Sequence, residues 1–371
     1  MISSLELMEA AFWAFMIAYA LCIAAIYTRL KAVSANGSST TLRPIHKPSL
    51  TLLMAFRDER EHLSSWLQHH SALAEKIIIV NDHSEDMSTK ELEQLLDSNT
   101  RLYHLPGGKS GKKAAIRLGV EQVDTEWLLT CDADTRLDPE WIRALPQRLH
   151  NSEQQAYVLM LSPARERKGG FTRSLFDLEY LALQCVGQAA VLFGRPSLCN
   201  GAAFLFRKEA YLQSLHRRSD WNTAGGDDLY TLAAIRDEYG AQSIAHFLSA
   251  GPAARVHFPE SGSRLWQQRV RWASGTPGLY SLSAKMLAAM VLITNALSAL
   301  AVLIIAITGP NTGLILALLL KFGIDSLLLA YGVLYFRRSD LWPWVLPAVL
   351  VYPFYVLSVA TASTVYIPSW K

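Results

Sequence analysis

The 371-residue sequence predicts a layered α/β domain joined to about four membrane-spanning helices, one N-terminal and three C-terminal. Three observations carry this prediction. Ala10 to Thr28, Met286 to Leu320 and Leu341 to Ile367 hold no charged residue, and each is long enough to cross ~30 Å of hydrocarbon. Between Lys31 and Lys285, short β-rich runs alternate instead with helical patterns, the signature of βαβ units. The whole chain is 51% hydrophobic and only 18% charged, against about 25% charged for an ordinary soluble domain.

Taken in order, the first span follows Glu6 and Glu9 and precedes Arg29, Lys31, Arg43 and Lys47, which orients the central domain toward the cytosol. With no basic region before it and no small-residue cleavage pattern after it, this span reads as an anchor and not a removed signal peptide. The organisation expected is an anchor over 1–30, a linker over 31–48, an α/β domain with interfacial helices over 49–284 and a transmembrane region over 285–371. Ser34 to Thr41 reads as a flexible tether within that linker.

Strands are predicted at Leu50 to Ala55, Lys76 to Val80, Leu102 to Leu105, Trp127 to Cys131 and Tyr157 to Leu161. Helices are predicted at Glu59 to His70, Ser88 to Leu96, Lys112 to Gln122 and Pro139 to Leu149, with Ser88 capping the second and Asp138-Pro139 opening the last. Ligands of such sheets gather at the carboxyl ends of the strands. Phe171 to Phe193 is a long apolar helical stretch that suits a membrane-surface helix and a buried core helix equally.

Three spans then follow Lys285, separated by Gly309-Pro310-Asn311 and by a cytosolic turn at Arg337-Arg338-Ser339-Asp340. Lys321 and Asp325 are four residues apart and share a helical face. An unpaired charge there costs ~2.5–3.5 kcal/mol, so mutual pairing toward the other helices is expected. Pro343, Pro347 and Pro353 predict a kinked or irregular last span.

Several function classes are excluded. A net charge of +3 is too balanced for a nucleic-acid binder. The four cysteines, Cys22, Cys131, Cys185 and Cys199, form no CxxC and no disulfide framework. Gly107-Gly108-Lys109-Ser110-Gly111-Lys112-Lys113 resembles a phosphate loop, yet Tyr103 stands where its first glycine belongs. No GxGxxG follows a strand either, which argues against dinucleotide binding.

Carboxylates mark three predicted strand ends. Leu128-Leu129-Thr130-Cys131-Asp132-Ala133-Asp134 ends in two carboxylates that project alike from extended chain. Such hard oxygen ligands suit Mg²⁺ or Mn²⁺ held jointly with a substrate diphosphate; a merely solvated turn is the plain alternative. Val80-Asn81-Asp82-His83-Ser84 reads either as an Asx-type turn or as a base-reading carboxylate. Ala55-Phe56-Arg57-Asp58-Glu59 arrives on the same sheet edge. Farther on, Gly225-Gly226-Asp227-Asp228 sets paired carboxylates before a helix, where one could be a simple N-cap. Trp266-Gln267-Gln268-Arg269-Val270-Arg271-Trp272 joins guanidinium groups to an indole, a phosphate-and-sugar pairing or an interfacial anchor.

In this order the motifs resemble a membrane-embedded family-2 glycosyltransferase, the group of cellulose, chitin and hyaluronan synthases and ceramide glucosyltransferase. The matching residues are Asp82, then Asp132 and Asp134 as DxD, then Asp228 at the TED-like site, then Gln268, Arg271 and Trp272 as QxxRW. The resemblance covers about Ser49 to Gly278. It implies a GT-A, Rossmann-like fold, a nucleotide-sugar donor, a divalent cation (Mg²⁺ or Mn²⁺) at Asp132 and Asp134, and inversion at the anomeric carbon. Asp228 takes the general-base position, although Gly226 and Asp227 replace Thr and Glu before it.

The resemblance further assigns Ala55, Arg57, Glu59, Asp82, Lys112, Asp132 and Arg271 to the nucleotide sugar. Gly201, Asp227, Gln268 and Trp272 fall to the acceptor side. Gly201, in Cys199-Asn200-Gly201-Ala202, permits close backbone approach.

The function expected is transfer of a sugar, from a donor taken to be a UDP-sugar, to a membrane lipid or short saccharide at the cytosolic face of a bacterial inner membrane. Met286 to Ile307 offers only Thr294, Asn295 and Ser298 as polar side chains, which disfavours a polymer path through the helices. The alternatives are a processive polysaccharide synthase and a non-catalytic receptor or scaffold on the same fold.

Overall fold

A computed structural model describes residues 4–36, 50–149, 152–165, 170–218, 226–247, 251–259, 261–274 and 281–365. Of the expected Ser34 to Thr41 tether, 34–36 end the first helix and the rest, like Gly225, falls outside these residues. The elements in chain order are α1 (Ser4–Asn36), β1 (Leu50–Phe56), α2 (Arg60–His70), β2 (Lys76–Asn81), α3 (Thr89–Gln94), β3 (Thr100–His104), α4 (Lys112–Gln122), β4 (Trp127–Cys131), β5 (Thr135–Leu137), α5 (Pro139–Leu149), β6 (Ala156–Val158) and β7 (Leu161–Pro163). Then come α6 (Phe171–Leu192), β8 (Ala203–Arg207), α7 (Lys208–Ser214), α8 (Asp227–Tyr239), β9 (Ile244–His246), β10 (Ala254–Val256), α9 (Gly262–Ser274), α10 (Leu282–Thr308), α11 (Thr312–Tyr335) and α12 (Trp342–Val365). The chain divides into two compact units, one built on the sheets and one on the long apolar helices.

The sheet unit holds a seven-stranded sheet in the order β3-β2-β1-β4-β8-β6-β9 and a three-stranded sheet, β5-β10-β7. Strands β3, β2, β1 and β4 run parallel, so their carboxyl ends share one edge, while β8 runs antiparallel to β4 with Cys131 opposite Ala203. The chain just before β8 therefore arrives where β4 ends. The single strand expected at Tyr157 to Leu161 is instead split: β6 belongs to the large sheet and β7 to the small one. Buried Leu159 and Met160 carry the chain between them.

The caps form as their residue types require. Ser88 and Glu91 make a reciprocal capping box on α3, and Asp138 Oδ1 accepts the Glu140 and Trp141 N–H groups at 3.0 Å to open α5. Helix α4 packs on the strands through Gly119, where an added Cβ would stand 2.2 Å from Leu53 Cδ1. Leu53 is fully buried in the core and has little room to retreat. Gly119→Val is expected to destabilise this unit by about 1–3 kcal/mol of overpacking, more than the roughly 0.3–0.5 kcal/mol that valine recovers over glycine in a helix. Thermal unfolding of the purified protein measures it, and an unchanged or higher Tm would disprove this packing.

The helical unit contains α1, most of α6, and α9 to α12. Among the described residues, five helices are long and apolar enough to cross a membrane: Glu9–Val33, Phe171–Leu192, Leu282–Thr308, Thr312–Tyr335 and Ser339–Val365. The N-terminal and three C-terminal ones are those the sequence predicts. The fifth, α6, differs in being 61% buried, against 22–28% for the others, so its apolar surface is mostly spent on protein. Helix α12 is continuous through Pro347 and Pro353, the helical form of the kinked or irregular span expected.

Lys321 and Asp325 do pair, at 2.8 Å. Asn295 Oδ1 accepts from Lys321 at 2.9 Å, and the Tyr19 hydroxyl donates to Asp325 at 2.6 Å, so one polar node ties α1, α10 and α11. Arg338 is 4% exposed and pairs with Asp177 of α6 and with Asp340, each at 2.7 Å. Its charge is thus consumed in packing as well as marking a turn.

Candidate active site

Each predicted strand-end carboxylate stands at the shared carboxyl edge, but they differ in what they touch. Asn81 makes the Asx-type turn, accepting the Ser84 N–H at 2.9 Å. Asp82 is 2% exposed, accepts the Gly111 N–H at 2.9 Å and pairs with His83 at 3.1 Å. It thereby pins the glycine-rich loop before α4 to the end of β2. Gly111 (φ +95°) and His83 (φ 56°) both use the left-handed region to make this junction. Ala55 and Arg57 lie at the end of β1, where Asp58 Oδ1 accepts the Glu85 N–H at 2.8 Å and braces β1 against the turn after β2.

With the loop pinned, Lys112 begins α4 and turns toward the acidic residues. Its Nζ donates to Asp132 Oδ1 at 2.6 Å and stands 3.9 Å from Asp227 Oδ2. Burial pulls the Lys112 ammonium down, but the charges on Asp132 and Asp227 overcome it and hold the group above its ordinary value. Asp134 behaves oppositely: burial, then the charges on Asp132 and Glu59, push its carboxyl up to about 7. This is an acidic surplus that one ammonium does not balance.

Asp227 and Asp228 open α8, and neither caps it. The cap position is Gly226, left-handed at φ 70° and with no side-chain hydrogen bond, so both carboxylates are released from that duty. Burial and the neighbouring charge of Asp227 raise the Asp228 carboxyl to about 6, while Lys112 and the Leu229 and Gly201 backbone pull it back. Gly201 lies directly against it: an added Cβ would be 3.2 Å from Asp228 Cγ and 3.3 Å from Oδ2. The antiparallel pairing of β8 with β4 brings Gly201 to this edge, helped by Asn200, which accepts the Ala202 N–H at 2.9 Å.

One sheet edge therefore unites Glu59, Lys112, Asp132, Asp134, Gly201, Asp227 and Asp228. Sequence reasoning passed over the bridging position of Lys112 between two separate motifs. It also passed over Cys199, whose thiol is pushed well up by burial and by Asp228 and Asp227. The only signal for either was proximity to a motif in the chain.

Gln268, Arg271 and Trp272 stand on α9, within the helical unit. Gln268 Oε1 is buried with no hydrogen-bond partner among the described residues, an acceptor left over. Trp272 is 36% exposed, with the guanidinium of Arg269 4.4 Å from its ring centre and Tyr180 at 6.4 Å. Arg269 itself is 3% exposed and paired with Glu179 at 2.8 Å, and Glu179 also accepts from the Tyr355 hydroxyl at 2.8 Å. This anchorage of the motif was not legible in the sequence.

A hard divalent cation fits the strand end. Asp132 and Asp134 supply two oxygen donors, and a carboxyl held up to about 7 by its neighbours gains most from a nearby positive charge. Among the described residues, no group of three or more His, Cys, Asp or Glu side chains is placed to hold a metal. Two carboxylates leave the remaining positions to substrate phosphate and water, as Mg²⁺ commonly requires.

The mixed sheet with its acidic carboxyl edge is a GT-A-type fold. Across 95% of this chain and 99% of the other, the structure matches the mannosyltransferase PcManGT from Pyrobaculum calidifontis, solved in complex with GDP-Man and Mn²⁺, with a TM-score of 0.57 and 14% identity. Residues 61–214 match the family Glycosyl transferase family 2.

Curated relatives include the poly-beta-1,6-N-acetyl-D-glucosamine synthase of Staphylococcus aureus (strain COL), 25% identical over 235 residues, and that of Staphylococcus epidermidis, 24% identical over 232. Each alignment covers 61% of this chain and 54% of the relative. The chain thus spans about half the length of the curated relatives it matches.

Proposed function

We propose that this chain is a membrane-embedded, metal-dependent, inverting glycosyltransferase that builds a β-linked saccharide from a nucleotide-sugar donor, processively. The observation that carries the reading is the convergence of Asp132, Asp134, Lys112, Gly201 and Asp228 on one sheet edge in a family-2 domain. The polymerising names of the relatives favour chain elongation and N-acetylglucosamine as the sugar.

In the proposed reaction Asp228 removes the proton of the acceptor hydroxyl as its oxygen bonds to the anomeric carbon. The bond from that carbon to the diphosphate breaks on the opposite face. A base with its pKa raised toward the working pH suits this task. Gly201 leaves room beside the carboxylate, and Asp227 holds Lys112 where diphosphate charge develops. A cation bound at Asp132 and Asp134 supplies Lewis-acid stabilisation of the departing diphosphate. Asp82 shapes the loop on the nucleotide side, and a uracil base is the one proposed. The QxxRW resemblance assigns phosphate charge to Arg271 and the acceptor sugar to Trp272. The membrane proposed is the bacterial cytoplasmic membrane, with the sheet unit on the cytosolic side, a reading supported by Arg29 and Lys31 after the first span.

A second reading, transfer of one or a few sugars to a lipid, is favoured by the closed Lys321, Asp325, Asn295 and Tyr19 node, whose polar groups satisfy one another. The test is to give the purified full chain radiolabelled UDP-N-acetylglucosamine, alongside a panel of other nucleotide sugars, and to size the products. Long chains appearing before intermediate lengths are expected. A single labelled sugar on lipid selects the second reading, and no transfer from any donor would defeat both.

A further inference from the structure

An ammonium group in contact with a carboxylate oxygen takes up one of the sites a cation could use there and repels any cation approaching the other. Lys112 Nζ is 2.6 Å from Asp132 and 3.9 Å from Asp227, with only 16% of its side chain exposed. Its backbone is fixed at the start of α4, immediately after Gly111, whose N–H is held by buried Asp82. We propose that Lys112 guards the Asp132–Asp134 strand end against divalent cation alone, so that cation and donor diphosphate are admitted together.

The argument is one of charge and ligand count. A hard cation meeting Asp132 without donor faces a positive charge already bound to the same carboxylate, and has only two carboxylates, with water at its other positions, to offset that repulsion. A diphosphate changes both terms at once. It brings oxygen ligands for the cation and a new anionic partner for the ammonium, which releases Asp132. Lys112 thus opposes the cation by itself and favours it with diphosphate, a positive coupling between the two ligands. This rests on the metal-dependent reading given above.

The test uses the full chain in detergent, with Mn²⁺ binding followed by loss of the free-ion EPR signal and uridine diphosphate binding by calorimetry. Lys112→Met is expected to bind Mn²⁺ without nucleotide at least tenfold more tightly than the wild type. The same variant should bind uridine diphosphate with Mn²⁺ at least tenfold more weakly. Lys112→Arg keeps the charge and should remain as poor as wild type toward Mn²⁺ alone. Adding Asp132→Asn to Lys112→Met should abolish the gain.

An Mn²⁺ affinity unchanged in Lys112→Met, or raised equally in Lys112→Arg, overturns the guard while leaving metal dependence intact. So does a wild type that binds Mn²⁺ as tightly alone as with uridine diphosphate, a result that needs no variant to fold. Uridine diphosphate binding that is indifferent to excess chelator would instead bring down the metal-dependent reading, and the guard with it.

Discussion

Replacing Asp228 by Asn lowers turnover at least 10²-fold while leaving donor binding within a few-fold of wild type, the result expected if this carboxylate removes the acceptor proton. The substitution keeps the shape that packs against Gly201 but cannot accept a proton. The pH profile supplies an independent check. Burial and Asp227 raise the Asp228 carboxyl to about 6, and a base works only when deprotonated. The kcat/KM of the wild type should therefore rise as pH increases through about 6, and not near the ordinary carboxylate range around 4. In Asp228→Asn that limb should vanish from the residual activity. Near-normal turnover in the variant would remove Asp228 from the base position.

Asp132→Ala or Asp134→Ala should be nearly as damaging, by about 10²-fold in kcat/KM, if each removes a donor to the cation proposed to stabilise the departing diphosphate. The two variants should differ in detail. Losing Asp132 strips Lys112 of its 2.6 Å partner and leaves Asp227 to hold it, whereas losing Asp134 relieves an acidic crowd that includes Glu59. Excess chelator should reproduce either defect in the wild type and add little to the variants. Full wild-type activity in excess chelator would show that no divalent cation takes part.

Much of this molecule was legible before any coordinate. Parallel strands buried on both faces are written as continuous apolar runs, so Lys76 to Val80 and Trp127 to Cys131 announced themselves, and caps such as Ser88 and Asp138 are local chemistry. The charge-free stretches likewise declared four apolar helices, because hydrocarbon thickness is a length criterion. The Asp132–Asp134 pair was visible as a strand end, although a solvated turn explained it equally well in isolation.

What sequence could not contain was the set of long-range partners. Nothing local distinguishes a strand at Tyr157 to Leu161 from two strands in different sheets, since the choice depends on which neighbour each half finds. Periodicity likewise left α6 between membrane surface and core, and it was Asp177 meeting Arg338 and Glu179 meeting Arg269 that showed its polar groups turned into protein.

By itself, then, the sequence determined the element types, the sheet edge on which ligands gather and the apolar helices, all consequences of short-range propensity, hydrophobic period and solvent preference. The tertiary structure alone decided that Lys112 bridges Asp132 and Asp227, that Gly226 frees both carboxylates at the start of α8, and that Gly201 lies against Asp228. The Lys112 and Gly201 contacts join residues 20 to more than 100 positions apart in the chain. Their charge states follow from distance and burial, quantities that exist only once the strands have paired.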